Sequence, residues 1–123
     1  MAEITHAISI RQPYVELILK GMKRYEYRST LTHITGRVYL YASKTPVDDR
    51  TAWRKAGSER GMLPTGVIVG SVVVAGCEWS EKDRCYRYKL QSPKRFRKHI
   101  APNGQPQPKF FRPRVLEGQG EQR

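Results

Sequence analysis

Lys23, Glu26 and Arg28 form the densest cluster of chemistry-bearing residues in the sequence, spaced as Gly21-x-Lys23-x-x-Glu26-x-Arg28. A lysine amine can move a proton when burial lowers its pKa, and as an ammonium it grips phosphate. A carboxylate three residues on can pair with it or act as a base. Gln12 and Tyr14 stand a short distance upstream, where an amide can read a base edge and a phenol ring can stack. Ser43 and Lys44, at the end of a later apolar run, can close the same cleft, and Arg11 is a lesser candidate. Each also has a plainer reading: solvated ion pairs for the charged residues, helix capping and core packing for Gln12 and Tyr14, and a turn for Ser43-Lys44.

The elements that must position these groups can be read from periodicity. Pro13 suits a first helical turn, because its missing N–H would be unsatisfied there anyway. Tyr14, Leu17, Ile18 and Gly21 then fall on one helical face, so a helix is expected over 13–20. Glu16 and Lys20, four apart, are expected on its solvent side. Gly21 stops the helix where a left-handed cap needs no Cβ. Residues 24–28 alternate as a strand, with Glu26 and Arg28 on one face and Tyr25 and Tyr27 on the other.

An earlier strand is expected over 4–10 and a polar loop over 29–35. In the strand over 37–42, Val38, Leu40 and Ala42 face one way and Tyr39 and Tyr41 the other. Thr45 and Pro46 read as the N-cap and first residue of a second helix, with Ala52, Trp53 and Ala56 on its apolar side before Gly57. The β-branched run over 66–79 reads as a central strand, and 84–90 as the next. A helical turn over 93–97, a loop over 98–108 and a short strand over 109–113 complete the pattern. The fold class is α+β: a small barrel of about five to six mixed strands with two or three short helices. One domain is expected over 1–114, with a polar tail over 115–123.

Charge narrows the partner. The chain of 123 residues has 23 Lys and Arg against 11 Asp and Glu, a formal net charge of +12. Residues 84–114 contain no acid, and their basic residues interleave with Tyr86, Tyr88, Phe96, Phe110 and Phe111; Lys94, Arg95, Arg97 and Lys98 form a phosphate-gripping patch. Basic and aromatic residues mixed in this way suit single-stranded RNA. Cys77, Cys85 and the scattered histidines match no metal-ligand spacing, and no cofactor is expected. No run of residues is long and apolar enough to span a bilayer, and the N-terminus lacks a signal-peptide pattern. A cytoplasmic protein with free thiols is therefore expected.

Ser9, Gln12-Pro13-Tyr14, Leu17-Ile18 and Gly21-x-Lys23-x-x-Glu26-x-Arg28 together closely resemble the signature of the ASCH domain, a branch of the PUA-like superfamily of small RNA-binding barrels. The strands GRVYLYASK and GVIVGSVVVAGC and the basic tail fit as well, so the resemblance runs to about Arg114. It implies a PUA-like pseudo-barrel with a cleft between the first helix and the barrel, near Lys23 and Glu26. In relatives that hydrolyse N4-acetylcytidine, the lysine at the position of Lys23 is catalytic and a threonine nucleophile follows three residues later. This chain has Glu26 there, and a carboxylate does not replace a hydroxyl as acyl acceptor. The Glu-x-Arg form resembles instead the ASCH domain of a eukaryotic transcriptional coactivator, which implies nucleic-acid binding. The sequence thus favours an RNA-binding module over a small amidohydrolase- or ribonuclease-like enzyme on a modified nucleoside or RNA using Lys23 and Glu26. A protein-interaction domain is a third class.

Overall fold

The alternating runs become strands and the helical stripe becomes a short helix, in the order β1 (Ala7–Ile10), α1 (Tyr14–Leu19), β2 (Tyr25–Arg28), β3 (Gly36–Ala42), α2 (Arg50–Ala56), β4 (Val67–Ser80), β5 (Cys85–Ile100) and β6 (Phe110–Phe111). This computed structural model describes residues 3–102 and 110–113. The six strands form one mixed sheet in the order β2-β5-β4-β3-β1-β6. β1 runs parallel to β3, and every other pairing among the described residues is antiparallel.

Among the described residues the hydrogen-bonded ladder is not closed, but the sheet curls until side chains bridge its two ends. Arg28 of β2 donates Nη2 to the Ser9 carbonyl oxygen of β1 at 2.6 Å, and the Tyr88 ring of β5 stacks on Phe110 of β6 with centroids 5.8 Å apart. The result is the expected α+β, PUA-like architecture.

β3 shows why its sequence is apolar at every position from Val38 onward. Val38, Leu40 and Ala42 join Ile8, Ile10, Val72 and Val74 under α1, while Tyr39 and Tyr41 join Ile68, Phe96, Ile100 and Phe111 on the opposite face. Both faces of the strand are buried, each by the residues that alternation assigns to it. The helix packs with Leu17 and Ile18 buried, at 7% and 1% exposure. Gly21 then takes φ 76°, and the Met22 and Lys23 N–H groups both donate to the Leu17 carbonyl oxygen, at 2.9 and 3.1 Å. This tight turn delivers Lys23 beside the start of β2.

Several expectations are corrected. Asp49, not Thr45, caps the second helix, accepting from the Ala52 N–H at 3.0 Å. Residues 45–47 are held out of the helix by tertiary contacts: Arg11 donates to the carbonyl oxygens of Thr45 and Pro46, each at 2.8 Å, and the Val47 N–H donates to that of Gln12 at 2.8 Å. Glu16 is buried rather than on the solvent side of α1, because both its oxygens accept from Arg95 at 2.9 Å.

The helical turn over 93–97 and the start of the loop over 98–108 are instead part of β5, which continues to Ile100. Pro93 is tolerated because β2 covers β5 only from Tyr86 to Lys89; beyond that, β5 is an edge where a missing N–H costs no ladder bond. The first strand starts at Ala7 rather than residue 4, and the last is seen at Phe110–Phe111, with residues 103–109 of the expected loop and strand outside the described residues. The tail over 115–123 and Arg114 lie outside the described residues.

Candidate functional site

Glu26 is the fixed point around which the site is built. It is 8% exposed on β2, with Arg28 Nε donating to Oε2 at 2.8 Å and Lys23 Nζ 3.6 Å from Oε1. Two cations to one carboxylate leave the cluster net positive. Lys23 Nζ also lies 5.2 Å from the centroids of both the Tyr14 and Tyr27 rings. A cation held over aromatic faces is attracted by the ring quadrupole. Lys23 is thus oriented by one carboxylate and two rings.

Lys23 and its two rings open onto a cleft of about 630 Å³ between α1, α2 and β2, while Glu26, paired with Arg28, holds Lys23 from the other face of β2, and neither Glu26 nor Arg28 lines the cleft. Its walls carry Tyr14, Tyr25 and Tyr27 together with Lys23, Arg24 and Lys55. The far wall comes from α2. There Asp49 accepts from the Tyr14 hydroxyl at 2.9 Å while capping its own helix. Both donors hold the Asp49 carboxyl below the usual carboxylate range, the backbone N–H of Ala52 most strongly and then the Tyr14 hydroxyl. Tyr14 shifts the other way: burial first, then its hydrogen bond to Asp49, pushes its phenol above the ordinary value. The Tyr14 ring is thereby fixed as one wall. On the outer face of β2, Arg87 stacks over Tyr25 at 4.6 Å from the centroid and fixes a second ring.

The other residues singled out from the sequence have these places. Gln12 is 1% exposed, with its amide donating to the Pro64 carbonyl oxygen and accepting from the Glu16 N–H, each at 3.1 Å. Arg11 is engaged by the segment before α2. Ser43 donates its N–H to the Ile10 carbonyl oxygen at 2.9 Å, and Lys44 is exposed; neither lines this cleft. Lys94, Arg95, Arg97 and Lys98 are exposed along β5, with Arg95 tied to Glu16.

The structure therefore brings Tyr14, Lys23, Glu26 and Arg28 together. It adds Tyr25, Tyr27, Asp49 and Lys55, which the sequence reading did not place in the site. The alternation over 24–28 already exposes the two tyrosines of β2, but nothing in residue spacing foretells that α2 supplies the opposite wall.

Comparison with known proteins decides the family. The sequence model of the ASCH domain matches residues 8–109. The chain belongs to the ASCH domain family. Among solved structures, an ASCH protein from Zymomonas mobilis is similar at a TM-score of 0.61 and 16% identity, over 94% of this chain and 91% of the other. A mutant form of the Zymomonas mobilis protein is similar at 0.61 and 14% identity, over 89% of each chain. At this identity the likeness shows the shared fold. Among curated proteins, none matches the chain. Within this ASCH domain, among the described residues, no helix is long and apolar enough to cross a membrane.

Proposed function

We propose that this ASCH domain binds single-stranded RNA, with a base held in the cleft between α1, α2 and β2. The observation that carries this reading is the lining of that cleft: three tyrosines and three basic side chains converge on about 630 Å³. Rings offer stacking platforms to any base, and ammonium and guanidinium groups contact the backbone phosphates. Asp49, on the cleft wall, adds an acceptor for base N–H groups. Tyr27 is 45% exposed and so presents a ring face to an incoming base. Gln12 has a supporting role: its amide ties α1 to the loop that follows α2, and its backbone carbonyl oxygen holds the segment before α2. The acid-free run along β5 supplies further phosphate contacts and the long-range field that draws an anionic strand to the surface.

The test is a binding titration of labelled single-stranded RNA at low salt. Tyr27→Ala and Lys23→Met should each weaken binding, Lys23→Met by about 1–3 kcal/mol, the range for a lost charged hydrogen bond. Absence of RNA affinity at low salt overturns the reading.

The 3.6 Å approach of Lys23 to Glu26 favours a second reading, hydrolysis of an N-acylated nucleoside with Glu26 activating a water. Each oxygen of Glu26 already faces a cation, Lys23 on one side and Arg28 on the other, an arrangement that supports binding over catalysis. Incubation with N4-acetylcytidine separates the two readings. Cytidine release abolished by both Lys23→Met and Glu26→Gln establishes the enzyme.

A further inference from the structure

A second cleft of about 560 Å³ adjoins the first, and Lys23, Arg24 and Tyr25 line both. Its outer wall is a distortion in β5. Val73 pairs with Gln91 and Ser71 with Lys94, so one extra β5 residue is inserted opposite β4. Ser92 takes φ 50° there, and a bulge of this kind bends a strand and re-aims its side chains. The exposed residues Lys89, Gln91 and Ser92 are thereby set around an apolar floor that includes Ile18 and Val72. Gly21 lies on the near side, and a Cβ built there meets nothing within 4 Å.

We infer that this second cleft is a subsite for the neighbouring nucleotide of a single-stranded RNA, so that the domain recognises an oligonucleotide rather than one nucleotide. The inference rests on the reading of the first cleft as a base site. The shared wall is three consecutive residues, a reach of about 7 Å in extended chain. A strand with one base against Tyr27 has its next backbone unit over Lys23 and Arg24. Its following base then lies over the apolar floor, where the Gln91 amide can read an edge and Lys89 meets the phosphate. Beyond Pro93, the exposed basic residues Lys94, Arg97 and Lys98 follow in β5. Two adjacent subsites joined by one ligand reinforce each other, because the second base binds at high effective concentration.

The test is calorimetric titration of the full chain with adenosine 5′-monophosphate and with tetra-adenylate. The tetranucleotide should bind at least about tenfold more tightly than the mononucleotide. The double variant Lys89→Ala/Gln91→Ala should lose most of that gain while holding the mononucleotide as the wild type does. Both positions are exposed, so its melting temperature should be unchanged, and Lys89→Glu alone should give a larger loss for the tetranucleotide. Lys82→Ala, at the hairpin between β4 and β5, serves as a control for general charge and should leave both affinities intact. Equal affinity for the two probes, or a double variant that binds the tetranucleotide as the wild type does, overturns the subsite and leaves the first cleft standing. Failure of the wild type to bind either probe overturns both.

Discussion

Glu26 and Arg28, two residues apart on one face of β2, are joined by a hydrogen bond from Nε to Oε2 at 2.8 Å, and the same guanidinium reaches across to the Ser9 carbonyl oxygen of β1. One arginine therefore holds the site carboxylate and ties the outer edge of the sheet to its far side. Glu26 is 10% exposed at the side chain and Arg28 19%, so breaking the pair leaves a charge in a poorly solvated place. Glu26→Ala should destabilise the fold by about 3–5 kcal/mol, the range for removing one member of a buried pair. Glu26→Gln should cost less, because its amide oxygen still accepts from Arg28. Urea unfolding of the two variants measures the difference, and equal stabilities would contradict the arrangement.

Close packing of β4 against β5 gives a second prediction. A Cβ at Gly70 would lie 2.3 Å from the Lys94 carbonyl oxygen and 2.9 Å from Leu19 Cδ2, whereas one at Gly76 meets nothing within 4 Å. Gly70→Ala should therefore cost about 1–3 kcal/mol as overpacking does. Gly76→Ala should be near neutral in the same denaturant series.

Leu17 and Ile18 are on the buried side of the first helix, and truncating either to Ala should cost about 2–5 kcal/mol. At Gly21, with φ 76°, an added side chain meets no clash but adopts a left-handed backbone. Gly21→Ala should be strained by about 1–2 kcal/mol, and the β-branched Gly21→Val by more. Thermal or urea unfolding reads both series.

Tyr14 and Asp49 give opposite pH dependences. Asp49 has its folded pKa lowered, so its contribution is present above the ordinary carboxylate value and is lost as pH falls through the lowered one. Tyr14 has its folded pKa raised, so its contribution is present below the ordinary tyrosine value and is lost as pH rises through the raised one. Asp49→Asn keeps a capping side chain. It should flatten the acid side of the stability profile while leaving a helical α2, as thermal melts across pH would show.

Salt dependence separates the members of the β5 patch. Each phosphate contact on a single strand contributes a slope of about −0.7, so changing Lys94, Arg97 and Lys98 together to Ala should reduce the slope by about 2 if all three touch phosphate. Arg95 is bonded through both terminal nitrogens to Glu16. Arg95→Ala should therefore act chiefly on stability, by about 1–3 kcal/mol from the loosened buried carboxylate.

Local rules made the centre of the molecule legible in advance. The helix face, the left-handed Gly21, the shared face of Glu26 and Arg28 and the two-sided pattern of β3 all follow from periods of 3.6 and 2. What escaped the sequence depends on distant partners. Thr45-Pro46 is a good helix start locally, yet Arg11 and Gln12 pin residues 45–47 and Asp49 takes the cap. Glu16 reads as a solvent residue until Arg95, 79 positions away, is folded against it. Pro93 reads as a break until β2 is seen to be too short to need its N–H. The aromatic half of the site was visible in β2, but its α2 wall was not, because Lys55 and Asp49 reach the cleft only through tertiary packing.

The most direct measurement is a nitrogen–proton correlation spectrum of the labelled protein during titration with a short single-stranded RNA. The largest shifts are expected at residues 23–27, in the turn after α1 and along β2, and at 51–55 on α2, with smaller ones along β5. Shifts confined to the opposite face, around Tyr39 and Phe96, or none at saturating RNA, would contradict RNA binding in the first cleft.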